Sequence, residues 1–254
     1  MNTAVAISHL TKRFTMQDGS SLNVLDDVSF DVGQNEFICI LGPSGCGKST
    51  ILNILCGLEA PTFGNTSVVN AASSRRPALG YIFQEPRLLP WMTVENNLRF
   101  ILRSQSFSEQ DVSTRVGAAL FEVGLTEFAT AYPHQLSGGM QARVSIARAL
   151  ATDPDILLMD EPFSSLDELT GRSMRKLFLQ LWEQRKKTIL FVTHNMFEAT
   201  FLADRIVIMS ARPGRIYKII ENTLPRPRDY EDPAVFATST AISKDFLQNV
   251  ANVN

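Results

Sequence analysis

The segment 42–49 constrains the fold of this chain more than any other part of its sequence. It matches the pattern G-x-x-x-x-G-K-[ST], and its residues are Gly42, Pro43, Ser44, Gly45, Cys46, Gly47, Lys48 and Ser49. An apolar run at 37–41 precedes it, and apolar residues at helical spacing follow it in 49–58. Glycines let backbone N–H groups turn inward around an anion, and the following helix presents its positive end. The segment therefore predicts a phosphate-binding loop between a strand and a helix; the alternative is a glycine-rich turn without a ligand.

Each part of this loop has a predicted role toward ATP and magnesium. Backbone groups of 42–50 would surround the phosphates, and Lys48 would neutralise the β- and γ-phosphates. The Ser49 hydroxyl would ligate magnesium, and Thr50 can donate one more hydrogen bond. For Cys46 we predict a small buried thiol that fits the loop, and the alternative is a reactive thiol.

A second apolar run, 156–159, ends in the carboxylates Asp160 and Glu161. In phosphate-loop ATPases an Asp at this place fixes magnesium, so we predict that Asp160 is a metal ligand. Glu161 would point in a different direction and could polarise the attacking water as a general base. The alternative is an acidic pair that faces solvent at the end of a strand.

The segment 136–141 predicts a second anion site in the same chain. Its residues are Leu136, Ser137, Gly138, Gly139, Met140 and Gln141, and the amphipathic segment 139–151 follows. Ser137 is a favourable N-cap, and the two glycines expose backbone N–H groups at the positive end of a helix. The alternative is an ordinary capped start of a helix.

The order of the predicted elements indicates an α/β fold with a parallel-sheet core. Strands and helices alternate from 156 to 209, which implies a parallel sheet covered on both faces. At the N-terminus, turn signals separate the β-rich runs 4–9, 28–32 and 37–41, which together predict an antiparallel edge region. The predicted strands are 4–9, 28–32, 37–41, 79–83, 156–159, 188–192 and 205–209, and the predicted helices are 49–58, 94–102, 112–123, 139–151, 169–184, 196–203 and 242–250.

Domain organisation follows from where helices interrupt this alternation. We expect one ATPase domain over 1–254, with a catalytic core of 1–84 and 153–222. The largely helical stretch 85–152 is predicted to be an inserted subdomain, and 223–254 to be a short tail.

Composition argues against several classes of partner. The net charge of −2 and the pI near 6.0 indicate no bulk attraction to nucleic acid or to an acidic membrane surface. No apolar run approaches the roughly 18 residues of a membrane span, and the first residues lack a secretory pattern. We therefore expect an intracellular chain that does not cross a membrane alone. Cys39, Cys46 and Cys56 are predicted to be reduced thiols rather than a disulfide framework.

With these motifs in place, the chain resembles the ATP-binding-cassette (ABC) ATPases over nearly its whole length. The segment 136–139 is similar to the family's signature motif, and 164–167 is similar to its D-loop. Gln84 resembles the Q-loop glutamine, His194 the switch histidine, and Phe14 the aromatic residue that stacks on adenine. The motifs occur in the family's order, with a helical insertion between the Q-loop and the signature motif.

This resemblance implies a head-to-tail dimer in which each ATP lies between one phosphate loop and the partner's signature segment. Ser137 and Gly139 would contact the γ-phosphate in trans, and Asp167 would bridge the two chains. His194 would contact the γ-phosphate and order the attacking water. Gln84 would touch metal and water and couple the site to the helical subdomain. From the residues alone, a structural histidine at 194 and a core phenylalanine at 14 remain alternatives.

Among these ATPases, the chain resembles those of bacterial importers for nitrate, sulfonate, taurine and bicarbonate. The resemblance rests on 84–94, 132–135, 201–205 and 210–216. It implies ATP hydrolysis coupled to transport of a small anion, at the cytoplasmic face of the bacterial inner membrane. The implied partners are a second copy of the chain, integral permease subunits and, indirectly, a substrate-binding protein, with no nucleic acid. The apolar residues proposed to contact a permease helix are Leu88, Leu89, Trp91 and Met92, and the alternative is that they pack the subdomain.

Other ATPase classes fit the sequence less well. A stand-alone kinase would lack the signature motif, a chromosome-maintenance ATPase would carry a long coiled coil, and a translation factor would have two cassettes in tandem. A non-transport ABC ATPase with the same ATP-driven dimerisation remains the alternative function. Asn195 follows His194 where many relatives have Asp, which bears on the substrate group rather than on ATP chemistry.

Overall fold

The computed structural model describes residues 2–69, 77–105 and 107–251. In chain order its strands are β1 (Thr3–Thr15), β2 (Ser21–Gly33), β3 (Phe37–Leu41), β4 (Phe63–Val68), β5 (Leu79–Ile82), β6 (Ile156–Asp160), β7 (Thr188–Thr193), β8 (Arg205–Met209) and β9 (Ile216–Glu221). Its helices are α1 (Lys48–Leu55), α2 (Val94–Leu102), α3 (Glu109–Glu122), α4 (Gly138–Ala151), α5 (Glu168–Arg185), α6 (Met196–Leu202) and α7 (Pro233–Phe246). Among the described residues, no helix combines the length and the apolar character needed to cross a membrane.

The chain forms two compact units, one of Met1–Pro77 with Lys187–Asn254 and one of Ala78–Lys186. We call them the first unit and the second unit. The predicted helical subdomain, 85–152, lies within the second unit, and its boundaries stay a prediction.

An antiparallel sheet in the first unit has the strand order β2-β1-β4. Both β1 and β2 are longer than predicted, because their pairing continues through register shifts from Thr3 opposite Gly33 to Thr15 opposite Ser21. The expected antiparallel edge region is therefore confirmed. The prediction that the run 37–41 belongs to this region is wrong: β3 is buried along its whole length and pairs in parallel with β7 and β8.

The parallel strands of the first unit have the neighbour order β7-β3-β8, and β9 closes this edge antiparallel to β8. Every residue of β3 and β7 is buried, as expected for strands covered on both faces. Leu41 is the register partner of Thr193 at the carboxyl ends of these strands. The chain segments that follow, starting at Gly42 and His194, therefore leave the sheet at the same edge.

The tail of the chain is more helical than predicted. Helix α7 begins at Pro233 rather than at 242, and it packs against α6 in the first unit. Asp232 is its N-cap and accepts a hydrogen bond from the Ala234 amide, while proline occupies the first helical position, where its missing N–H costs nothing. A π-helical turn, Leu247–Ala251, follows.

In the second unit, β5 pairs in parallel with β6, and α4 packs against both α2 and α3. Helix α2 has the predicted bounds, and α4 and α5 each differ from the prediction by at most one residue at an end. Helix α3 begins at Glu109 instead of 112 because Ser108 caps it, accepting a hydrogen bond from the Asp111 amide. The parallel core, the antiparallel region and the helices together confirm the predicted fold class.

Candidate functional site

The glycine-rich loop joins β3 to α1, as its sequence context predicts. Gly45 and Gly47 have φ values of 77° and 100°, in the left-handed region that favours glycine. A Cβ on Gly47 would come within 2.5 Å of the Leu25 side chain, so the loop also needs glycine there for space. Gly47 is the N-cap of α1, which directs the first amides of that helix toward the loop. These features agree with the predicted phosphate-binding loop.

Lys48 places its ammonium against this loop. The side chain is almost fully buried, and Nζ donates hydrogen bonds to the carbonyl oxygens of Gly42 at 2.8 Å and Pro43 at 3.0 Å. These two carbonyls fix a positive charge beside the loop amides, where an anionic phosphate would be stabilised.

The three cysteines are free thiols, and Cys39 and Cys46 are fully buried. Burial raises the pKa of the Cys39 thiol well above its ordinary value; the nearby Glu198 carboxylate raises it further, and Lys48 opposes them. The burial of Cys46 agrees with a packing role in the loop.

Arg212 contacts the phosphate loop, and sequence reasoning did not identify it as a site residue. Arg212 lies in the loop between β8 and β9, and its Nε donates a hydrogen bond of 3.1 Å to the Gly45 carbonyl oxygen. The same loop is held against β2, since the Gly214 amide donates to Val24 O and the Gly214 carbonyl accepts from the Asp26 amide. From the sequence, the segment 210–216 indicates only a resemblance to importer ATPases. Nothing in it predicts a contact with the phosphate loop, which is distant along the chain.

His194 follows β7 and lies between two fixed residues. Thr193 is buried, and its hydroxyl donates to Glu198 Oε2 at 2.6 Å and accepts from the Asn195 amide at 3.0 Å. The Asn195 side chain caps α6 by accepting hydrogen bonds from the amides of Phe197 and Glu198. Asn caps helices as well as Asp does, so Asn195 preserves the helix cap that Asp would form at this position in other family members. His194 itself is exposed at the edge from which the phosphate loop also starts.

Asp160, Glu161 and Gln84 lie at the carboxyl ends of β5 and β6 in the second unit. Tyr81 donates a long hydrogen bond, 3.4 Å, to Asp160 Oδ2. Glu161 has a φ of 44°, a strained conformation for a residue with a side chain and one that is common at functional sites.

Ser164 connects Gln84 to Glu161. Its hydroxyl donates to the Glu161 carbonyl oxygen at 2.9 Å and accepts from Gln84 Nε2 at 3.2 Å. The sequence had placed Ser164 only within the D-loop resemblance. Through these two hydrogen bonds, Ser164 joins the side chain of Gln84 to the backbone of Glu161, the predicted general base.

The signature segment and the D-loop meet at Thr170. Ser137 caps α4 by accepting from the Met140 amide at 3.3 Å, and a Cβ on Gly139 would overlap the Thr170 methyl group. Asp167 caps α5 by accepting from the Thr170 amide at 3.0 Å. Hydrogen bonds from the Thr170 side chain and backbone lower the pKa of the exposed Asp167 carboxyl. Gly138 is the first residue of α4, so both glycines of the motif lie in its first turn.

The structure also describes Phe14, the predicted adenine-stacking residue, and the apolar residues proposed to contact a permease helix. The Phe14 ring is half-buried in β1, and Lys12 Nζ lies 4.5 Å from its centroid, held by a 2.9 Å ion pair with Glu59. Trp91 in the second unit is 69% exposed. The other three residues proposed with it, Leu88, Leu89 and Met92, are partly exposed.

The predicted site residues are divided between the two units. The first unit holds Phe14, the loop 42–50 and His194, and the second holds Gln84, the signature motif, Asp160, Glu161 and Asp167. Their roles toward nucleotide and metal stay predictions.

Comparisons with known proteins agree with this geometry. The ABC transporter family model matches residues 25–164. The chain is 44% identical over 226 residues to an aliphatic sulfonates import ATP-binding protein, SsuB, of Bacillus cereus, covering 88% of each chain. It is 42% identical over 247 residues to the taurine import ATP-binding protein TauB of Jannaschia sp. (strain CCS1), covering 96% of this chain and 89% of the relative. The dimeric post-hydrolysis structure of the ATP-binding cassette MJ0796 bound to ADP and Pi has 32% identity and a TM-score of 0.74, covering 87% of this chain and 100% of that one.

Proposed function

Because this chain belongs to the ABC transporter family and is one of its ATPases, we propose that it is the energy-coupling subunit of a membrane importer. One observation carries the catalytic part of the proposal. Lys48 lies on a loop of the correct backbone form, and that loop starts at the same sheet edge as His194. The cation and the histidine would both act on the phosphates of ATP.

A second copy of the chain would complete each ATP site. The dimeric form of the related cassette supports this arrangement, in which Ser137 and Gly139 approach the γ-phosphate bound by the partner chain. Both lie at the start of α4, where backbone N–H groups favour an anion. Asp167 would contact the partner chain near the same ATP site.

Within the site, Glu161 would accept the proton of the attacking water as that water forms a bond to the γ-phosphorus. His194 would donate a hydrogen bond to the γ-phosphate, and Lys48 would neutralise charge as ADP leaves. Gln84 would orient the water, and its position is set through Ser164. Phe14 would stack on the adenine ring.

The residues predicted to bind magnesium are Ser49, Gln84 and Asp160. They offer a hydroxyl, an amide carbonyl and a carboxylate, all oxygen ligands of the kind that a hard cation prefers. When bound, magnesium would neutralise part of the phosphate charge.

We assign a small sulfonate-like anion as the cargo, on the basis of relatives named for importing aliphatic sulfonates and taurine. These names also disfavour the non-transport alternative. The chain would act at the cytoplasmic face of the membrane, bound to permease subunits. A substrate-binding protein would be an indirect partner that delivers the cargo to those subunits.

Uptake of radiolabelled taurine and of an alkanesulfonate by cells that lack this chain tests the function. We expect uptake of at least one of them to fall, and to return with the parent chain but not with Lys48→Ala. Normal uptake of both would overturn the proposed cargo, and a parallel measurement with nitrate would test the other predicted class of anion.

A further inference from the structure

The segment between β9 and α7 contacts the carboxyl-terminal end of α6. A helix leaves the carbonyl groups of its last turn without partners inside the helix. In this chain, side chains of the following segment donate to those carbonyls. The bonds are Asn222 Nδ2 to Thr200 O at 2.7 Å and to Ala203 O at 2.9 Å, Arg226 to Leu202 O at 2.5 Å, and Arg228 Nη1 to Thr200 O, Phe201 O and Ala203 O at 3.0, 3.1 and 2.7 Å.

Arg228 is the most buried of these donors, at 6% exposure. Its guanidinium also donates to Leu224 O, so it joins the helix end to the backbone of its own segment. Burying a cation is unfavourable unless hydrogen bonds compensate, and the negative end of a helix adds attraction. The hydrogen bonds of Arg228 therefore stabilise this helix end.

Tyr230 holds the side of the same helix. Its ring centroid lies 4.9 Å from that of Phe197 and 4.6 Å from that of Phe201. Aromatic pairs at these distances pack favourably. The segment thus holds α6 along its side as well as at its end. We name Asn222, Arg226, Arg228 and Tyr230 the tail clamp.

The opposite end of α6 adjoins His194. The Asn195 cap and the bond from Thr193 to Glu198 attach the residues on both sides of His194 to the first turn of this helix. Helix α6 has seven residues and is about 10 Å long, so a displacement at one end would be transmitted to the other. A shift at its clamped end would move the residues that hold His194.

We propose that the tail clamp positions His194 for ATP hydrolysis, an inference that rests on the proposed role of His194. Arg228 and its neighbours are positioning residues, since they act through α6 and touch no reacting atom. Their loss should lower kcat while KM for ATP changes little, because the clamp affects the single contact from His194, whereas Lys48 and the loop amides would supply most of the phosphate contacts.

The first test measures steady-state ATPase activity of Arg228→Gln and Arg228→Lys. We expect kcat to fall at least about tenfold in Arg228→Gln, because a catalytic group misplaced by about 1 Å can cost up to roughly 100-fold. Arg228→Lys should recover part of it, because it keeps the charge but not the planar set of donors. The matched control is Arg103→Gln, which removes an exposed arginine at the end of α2.

The second test observes His194 directly. The chain has three histidines, His9, His134 and His194, so ring signals from histidine-labelled protein can be assigned by substitution. We expect Arg228→Gln to shift or broaden the His194 signal while the signals of His9 and His134 stay in place. This result does not depend on turnover. If His194→Ala hydrolyses ATP at the parent rate, the proposed role of His194 fails, and the spectrum still decides whether the clamp positions it.

The two tests can also overturn the inference. An unchanged His194 signal in folded Arg228→Gln, or an equal loss of kcat in Arg103→Gln, would contradict positioning by the clamp. If Arg228→Gln does not fold, Asn222→Ala removes two of the same hydrogen bonds and is judged by the same two measurements.

Discussion

Leu41 and Thr193 are register partners at the carboxyl ends of two neighbouring parallel strands. The residue after the first strand is Gly42, which starts the phosphate loop, and the residue after the second is His194. Two segments that are distant in sequence therefore start side by side. Ligand sites of open α/β sheets lie at such carboxyl edges, and this pairing would allow the loop and the histidine to act on one nucleotide, as we propose.

Replacing the predicted general base should separate binding from turnover. We expect Glu161→Gln to bind ATP with nearly parent affinity and to lose at least about 100-fold in kcat, the usual value of general-base catalysis. Nucleotide binding and phosphate release measure the two effects. Glu127→Gln, an exposed carboxylate in the short helical turn Thr126–Phe128, is the control. Parent-rate hydrolysis by Glu161→Gln would show that another group takes the proton.

Removing Arg212 should weaken the phosphate loop. Its Nε bond fixes the Gly45 carbonyl, where the backbone is in the left-handed region. We expect Arg212→Ala to raise KM for ATP about fivefold, the scale of one ordinary hydrogen bond, because Arg212 is exposed; the change in kcat should be smaller. Arg103→Ala is the control for loss of a surface arginine. An unchanged KM would mean that Arg212 does not support the loop.

Adding a methyl group at Gly139 should disturb the signature segment. The new Cβ would overlap the Thr170 methyl group, which also lies beside the Asp167 cap. We expect Gly139→Ala to lower ATPase activity, and the double variant Gly139→Ala with Thr170→Ser to recover part of it, because serine lacks the methyl group. Gly117→Ala is the control, since a Cβ there meets no atom within 4 Å. Absence of recovery would show that this overlap is not the cause.

Trp91 should matter for transport rather than for ATP chemistry. It is 69% exposed, as a residue that contacts a permease helix would be in the isolated chain. We expect Trp91→Ala to keep the ATPase activity of the isolated subunit and to lose most uptake in cells. Phe121→Ala, also strongly exposed, is the control. Equal loss of both activities would mean that Trp91 stabilises its own unit.

Much of the fold could be predicted because local signals were strong. Strands β3 and β7 are continuous apolar runs, and Ser137 caps the helix that it was predicted to start. Strand β4 was missed because its sequence, FGNTSV, is mostly polar, and it becomes a strand by pairing with β1. Helix α7 begins earlier than predicted because Asp232 caps it and Pro233 fits its first position.

The contacts that connect site residues were harder to predict. Arg212 reaches Gly45, and Arg228 reaches the end of α6, through bonds between a side chain and distant backbone carbonyls. Such bonds leave no spacing pattern in the sequence, since every residue has a carbonyl. The motifs identified which residues to consider, and the structure adds which neighbours hold them.

The most direct test of an ATP site shared by two chains is the ATPase rate of mixed variants. Lys48→Ala and Ser137→Arg should each be inactive alone, because each disables both sites of its own dimer. In an equal mixture, a mixed dimer has one site with an intact Lys48 and an intact partner Ser137. Random pairing predicts recovery of up to about a quarter of the parent rate. A mixture as inactive as its components would contradict the shared site.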